Sequence, residues 1–215
     1  MERVTPDREN QCNNGRMRYV GIALGVLALY GAYDYLSSRP IAWRPGILVA
    51  ADPKQTDLDD AQAIEHGSFK LIPRARFVAE ARVLSSSRYR MGALAEVSPL
   101  DIAVGWGPMS DSAVLARLDI SQGNRFYYWH YDDEPPIPRE AIETHSANWH
   151  LVPQSSAVWN TLSSIRVGDV VKLEGELIDL ERPDLGVIRT SLRRDDTGAG
   201  ACEVILVQSV SFRYR

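Results

Sequence analysis

The residues best equipped for chemistry sit in Thr144–Pro153, THSANWHLVP, where His145, Ser146, Asn148 and His150 fall within ten positions. Near neutral pH an imidazole serves as general base, general acid or metal ligand. A hydroxyl such as that of Ser146 becomes a nucleophile when a base takes its proton. The spacing works against convergence. His145 and His150 are five apart, which puts them on opposite faces of a strand and about 140° apart on a helix, unlike the four-residue step of a helical zinc pair. No glycine-flanked nucleophile elbow surrounds Ser146. His145, Ser146 and His150 are therefore the candidate catalytic residues of a hydrolase only where a loop folds them together, and neither a metal nor another cofactor is expected.

Two further groups of residues suit binding. Arg189–Ala201, RTSLRRDDTGAGA, has the glycines of a phosphate loop. It lacks the glycine-lysine-serine or threonine ending, and it leads into the strand-like CEVILV rather than into a helix N-terminus. It reads as a solvated hairpin loop in which Arg193, Arg194, Asp195 and Asp196 neutralise one another or face water. Arg189, Arg193 and Arg194 are its candidate cationic contacts. Trp106 in GWGPMSD and the quartet Phe126, Tyr127, Tyr128 and Trp129 suit a stacking platform for a glycan or a peptide, with Trp106, Tyr128 and Trp129 as candidate contacts. Aromatics in a strand suit a core equally, and exposure separates the two. Cys202, inside an apolar run, reads as a small buried side chain, and His66 and His130 read as surface or packing residues.

These residues need a frame, and the strand signals supply it. Phe77, Ala79, Ala81 and Val83 alternate with Val78, Glu80, Arg82 and Leu84, a period-two pattern with one wholly apolar face. In VVKLEGELIDL, Val171, Leu173, Gly175 and Leu177 share one side while Lys172, Glu174 and Glu176 point away, and Gly175 marks a bulge or bend. Phe126–Trp129 and Cys202–Val207 read as strands covered on both faces. Ile47–Ala50, Ile102–Val104 and Val187–Thr190 are shorter strand candidates. Short helices are expected over Asp111–Leu118, behind Ser110, and Ala157–Ile165, behind Ser155 or Ser156. The fold class is mainly β: an N-terminal transmembrane helix, then an antiparallel β-barrel or sandwich, OB-like in one version, with two short helices.

The membrane assignment rests on Tyr19–Tyr33, YVGIALGVLALYGAY, which has no charge and extends to Leu36. Its 18 residues span roughly 27 Å as a helix, close to a hydrocarbon core of ~30 Å. Arg3, Arg8, Arg16 and Arg18 precede it, against Arg39 and Arg44 after it, so the positive-inside bias keeps residues 1–18 cytoplasmic and exports the rest. The organisation is a signal-anchor helix over 19–36, a linker over 37–46 and an exported β-rich domain over 47–215, in the bacterial inner membrane with the C-terminal domain in the periplasm. Met17 offers an alternative start to Met1. Gly21 and Gly25 form a small-xxx-small pair that suits homodimerisation. Cys12 and Cys202 fall on opposite sides of the membrane and cannot pair within one chain.

Across 215 residues the chain has 24 Lys and Arg against 28 Asp and Glu, a net charge of −4. That balance excludes the broad cationic surface used to bind nucleic acid.

The motifs ARVLSSSRY, DIAVGWGPMSD, ISQGNRFYYW, THSANWHLVP and DDTGAGACEVI occur in that order. With them the chain resembles a group of bacterial single-pass, membrane-anchored envelope proteins, across nearly all of the exported part. Trp149 departs from the methionine expected there. The resemblance implies an envelope protein and carries no activity with it. The expected function is a membrane-tethered periplasmic binding or scaffolding module for an envelope protein or glycan, with an envelope hydrolase at His145–His150 as the alternative.

Overall fold

The computed structural model describes residues 39–196, 198 and 200–214, and residues 19, 20, 22, 24–32 and 35 before them. The chain divides into two units, 1–39 and 40–215. In the first, the described residues from 19 to 35 are helical and exposed. Among the described residues no helix is long and apolar enough to cross a membrane. Residues 1–18, with Cys12 and Met17, lie outside the described residues, as do Gly21, Ala23, Tyr33, Asp34 and Leu36 of the expected span.

The second unit is mainly β. Its axis is β3, Phe69–Arg88, which follows β1 (Lys54–Asp57) and β2 (Ile64–His66). The alternation seen at Phe77–Val83 continues along most of β3, so one face enters the core while the other carries Lys70, Arg74 and Arg76 outward. Four more strands share the core: β4 (Leu100–Gly105), β7 (Ser146–Pro153), β8 (Val170–Arg182) and β10 (Glu203–Phe212). Their pairings run β3 to β4, β4 to β7, β7 to β10, β10 to β8, and β8 back to β3. The circuit is closed. Every pair in it is antiparallel except β7 with β10.

Closure requires strong bending, and register shifts supply it at Pro73/Ala75, Val83/Ser85 and Val207/Ser209. Gly175 sits beside the last of these. A Cβ there would lie 2.1 Å from Leu206 O, so only glycine lets β8 approach β10 this closely. Inside, Phe77 packs edge-on to Trp149 at 5.6 Å among Val83, Ile102, Val104, Leu151, Leu173, Ile205 and Val207.

Outside the circuit lies a separate ribbon, β5 (Asp119–Gly123) paired with β6 (Phe126–His130). Its Ile120, Tyr127 and Trp129 pack on a cluster built from Leu84, Ala103, Met109 and Ile142. β6 therefore has one packed and one exposed face, which corrects the expectation of a strand covered on both sides. Ile47–Ala50 is irregular rather than a strand. Val187 and Ile188 belong to β9, Gly186–Ile188.

The short helices are α1 (Ser112–Leu115), α2 (Arg139–Thr144) and α3 (Ser156–Leu162). Asp111, not Ser110, caps α1 by accepting from Ala113 N at 2.8 Å. Ser110 is buried, and its Oγ instead accepts from Leu48 N and Val49 N at 3.1 Å. Ser155 caps α3 through Val158 N.

Candidate functional site

The ribbon and the circuit enclose a cavity of about 340 Å³ between β6, β7, α2 and the loop that enters β10. Phe126, Tyr127, Tyr128 and Trp129 form one wall, Ser146, Ala147 and Asn148 of β7 another, and Arg139, Glu143, Asp196, Gly198, Ala201 and Cys202 complete it. Tyr128 is 53% exposed and Phe126 39%. Trp106 is 1% exposed, a core residue with no exposed stacking face.

The tip of the ribbon locks this wall in place. Asn124 and Arg125 form its two-residue turn with φ of 53° and 68°, as the right-handed twist of a hairpin demands. Positive φ is unfavourable for a residue as bulky as arginine. What offsets the strain is the reach of the Arg125 guanidinium. It lies 3.7 Å from the centre of the Tyr89 ring, and Nη1 donates to Ser98 O and to Asp101 Oδ1, each at 2.8 Å. Asp101 is the second residue of β4 and is fully buried.

The same carboxylate oxygen faces His150. Nδ1 lies 2.9 Å from Asp101 Oδ1, with its N–H direction turned away from a linear hydrogen bond. Burial alone would lower the His150 pKa. The neighbouring Asp101 carboxylate, with a smaller contribution from the Cys202 side chain, outweighs burial and pushes it up to about 9. The register explains why these groups meet. β7 and β10 pair in parallel with His150 opposite Val204 and Trp149 opposite Glu203, so Cys202 falls beside Asn148, on the face that also carries His150. Asn148 Nδ2 lies 3.8 Å from Cys202 Sγ and donates to Arg125 O at 3.0 Å, while its Oδ1 accepts from Gln122 Nε2 at 2.8 Å.

Ser146 is differently employed. Its Oγ donates to Ile142 O at 2.6 Å and shares a 2.5 Å hydrogen bond with Tyr127 Oη. Burial raises the Tyr127 phenol to about 12, against the lowering effect of that contact. His145 stands away from this cavity. Its Nδ1 donates to Ala141 O at 3.0 Å, and its ring packs so closely on Gly107 that a Cβ there would meet Cδ2 at 2.5 Å. With Asp52, Trp106, Thr144, Arg194 and Asp195 it lines a second cavity of about 260 Å³. The structure thus separates His145 from His150 and gives Ser146 no imidazole partner.

The cationic loop is not a hairpin, because β9 and β10 pair with β8 and not with each other. Arg189 is exposed, and Arg193 pairs with Asp195 at 2.8 Å. Arg194 turns inward, 2.7 Å from Glu203 Oε1 and 5.4 Å from the Phe77 ring centre. This corrects the expectation that Arg194 is neutralised within the loop or faces water. Burial raises Glu203 to about 8 despite the Arg194 charge.

Asp101, Arg125 and Tyr89 were not among the residues singled out by sequence, and Cys202 was read there as inert. The signals were a carboxylate heading the apolar run DIAV and an Asn-Arg pair between two alternating segments. Among the described residues no three His, Cys, Asp or Glu side chains are grouped to hold a metal ion. No protein-family model, curated protein or solved structure matches the chain.

Proposed function

We propose that residues 40–214 are an OB-type barrel acting as a membrane-tethered periplasmic binding module, and that its ligand is an uncharged glycan held in the 340 Å³ cavity. In chain order the closed circuit reads first, second, third, fifth, fourth, first, with α3 between the third and fourth strands. That arrangement supports the OB assignment. The fold by itself assigns no ligand. The acidic balance of the chain disfavours a polyanion such as an oligonucleotide.

The observation that carries the reading is the composition of the cavity wall. Exposed aromatic side chains on β6 stand opposite the carboxylates of Glu143 and Asp196 and the amide of Asn148. Aromatic faces cover the C–H surface of a sugar, carboxylates accept from its hydroxyls, and the volume lies in the range of small-ligand sites. The tether is the apolar run over 19–36 read from the sequence, and the resemblance to membrane-anchored envelope proteins agrees with it.

The test titrates the full chain in detergent with the neutral tetramer of N-acetylglucosamine while following tryptophan fluorescence, to which Trp129 contributes from the cavity wall. Saturable binding that is lost in a folded Tyr128→Ala variant is expected. Absence of saturation, or binding indifferent to that substitution, overturns the glycan reading. Reporter fusions at Arg215 test the topology: activity of a cytoplasm-dependent reporter alone overturns export.

A further inference from the structure

We propose that a cavity between β3, α1 and β5 binds a single-chain amphiphile with an anionic head, a long-chain carboxylate, whose head pairs with Arg82. This cavity is not the one assigned to the glycan, and the proposal does not rest on that reading. It has a volume of about 360 Å³, within the range of small-ligand sites. Its wall is mostly apolar, with Leu84 from β3, Leu115 from α1, and Leu118 and Ile120 around the start of β5. Among the described residues that line it, only Arg82 and Asp119 are charged.

Arg82 is the observation that carries the inference. It continues the outer face of β3 on which Arg74 and Arg76 are exposed, yet it is only 7% exposed itself. Its Nη1 donates to Ser110 O at 2.9 Å and to Ser112 Oγ at 2.8 Å, which ties the guanidinium to the start of α1. Nε is buried and has no hydrogen-bond partner among the described residues. Arg82 also takes part in none of the ion pairs that the described residues form. Asp111, whose charge acts on it, instead accepts with Oδ1 from Gly46 N and Ala113 N, each at 2.8 Å. Burial accordingly lowers the Arg82 pKa against the pull of Asp111. A buried cation costs free energy until an anion meets it. The Nε–Nη2 edge of a guanidinium is a fork that takes a carboxylate through two parallel hydrogen bonds, and only Nη1 is already engaged. The leucines and Ile120 would cover an alkyl chain and keep water from such a pair. One guanidinium facing a wall that also carries Asp119 suits a monoanion, since a dianionic phosphate would find no second cation there among the described residues.

The experiment uses the full chain in a neutral detergent and, as the probe, palmitate labelled with carbon-13 at its carboxyl and followed by NMR. The expected result is a carboxyl resonance distinct from that of micellar palmitate, saturating at one equivalent per chain. Unlabelled palmitate displaces it, and hexadecanol, with the same chain length and no charge, does so at least about 10-fold less well. Leu115→Trp, which fills the cavity and leaves Arg82 in place, abolishes the resonance, and Arg82→Gln weakens binding about 10–100-fold. Absence of a distinct resonance, or one that survives Leu115→Trp, overturns the proposal. Hexadecanol that competes as well as palmitate overturns the pairing with Arg82 and the proposal with it. That comparison is made on the wild-type chain, so misfolding of a variant does not shield the proposal. Lysophosphatidate that binds more tightly than palmitate makes the head a lipid phosphate and overturns the carboxylate assignment. Saccharide binding without palmitate binding sinks this inference alone, and palmitate binding without saccharide binding sinks the glycan reading alone.

Discussion

Cys202 and Glu203 are consecutive residues, yet their surroundings are built on opposite plans. On the outer face, Asp101 shares one oxygen between two nitrogen groups, Arg125 at 2.8 Å and His150 at 2.9 Å. On the core side, Glu203 has one guanidinium, Arg194, at 2.7 Å. The outer arrangement makes a base hold its proton, since Asp101 and Cys202 push His150 up to about 9 against its burial. The inner arrangement makes an acid hold its proton, since burial pushes Glu203 up to about 8 against the pull of Arg194. What differs is the access of each group. His150 keeps 15% of its side chain exposed, whereas Glu203 is sealed at 2%. The outer site keeps some contact with solvent, and the inner one fastens the loop before β10 to the core.

The largest disruption of this contrast comes from Asp101→Ala. It strands the Arg125 guanidinium, 18% exposed, and removes the carboxylate facing His150. Breaking a buried pair from one side typically destabilises by about 3–5 kcal/mol, and urea unfolding at pH 7 should show a loss of that size. A loss under about 1 kcal/mol, the scale of an exposed pair, would mean that Asp101 does not anchor the ribbon.

Next in size is the effect of His150 on the pH dependence of stability. A base whose folded pKa is raised contributes stability that is complete below its unfolded value of 6.5 and lost as pH rises through about 9. Wild type should therefore exceed His150→Gln by about 2 kcal/mol at pH 6, converging with it above pH 9. Parallel stability curves across that range would remove the ion-pair account of His150. A smaller effect belongs to Arg125→Gly, which relieves the positive φ at the ribbon tip but deletes the contacts to Ser98 O and Asp101. The net loss should be about 1–2 kcal/mol, with faster amide hydrogen exchange confined to β5 and β6. Exchange that accelerates equally in β3 and β8 would show that the tip supports the whole circuit and not the ribbon.

Both sides of this contrast were only partly visible in the sequence, for physical reasons. β3 and β8 announce themselves because each keeps one polar face, so the period of two survives in Phe77–Val83 and Val171–Leu177. β7 does not, because the core covers one of its faces while the ribbon and the β10 loop cover the other, leaving all but two of its positions buried. The reverse error befell β6, whose run of four aromatics suggests double burial although Phe126 and Tyr128 face outward. Tyr128 and Trp129 were legible as cavity residues because aromatic side chains are conspicuous. The Asp101, Arg125, His150 and Cys202 set was not, since its members come from four segments joined only by the register of β4, β7 and β10 and by the twist of one turn. His145 drew attention by standing next to Ser146, and adjacency along a chain says little about which cavity a side chain enters.

The effect that is smallest at pH 5 separates the inner site from the outer one by sign. An acid whose folded pKa is raised binds a proton that the unfolded chain has released, so Glu203 lowers stability as pH rises from 4.5 towards about 8. Glu203→Gln removes that titration while keeping an amide oxygen beside Arg194, which also reaches Gln55 Oε1 at 3.2 Å and Ser191 O at 3.3 Å. Near pH 5 the variant should lie within about 1 kcal/mol of wild type, and its advantage should then grow with pH as the wild-type curve falls. The check is thermal unfolding at pH 5, 6.5 and 8. A variant that loses ground as pH rises would mean that Arg194 keeps Glu203 ionised, and the two sites would then differ only in exposure.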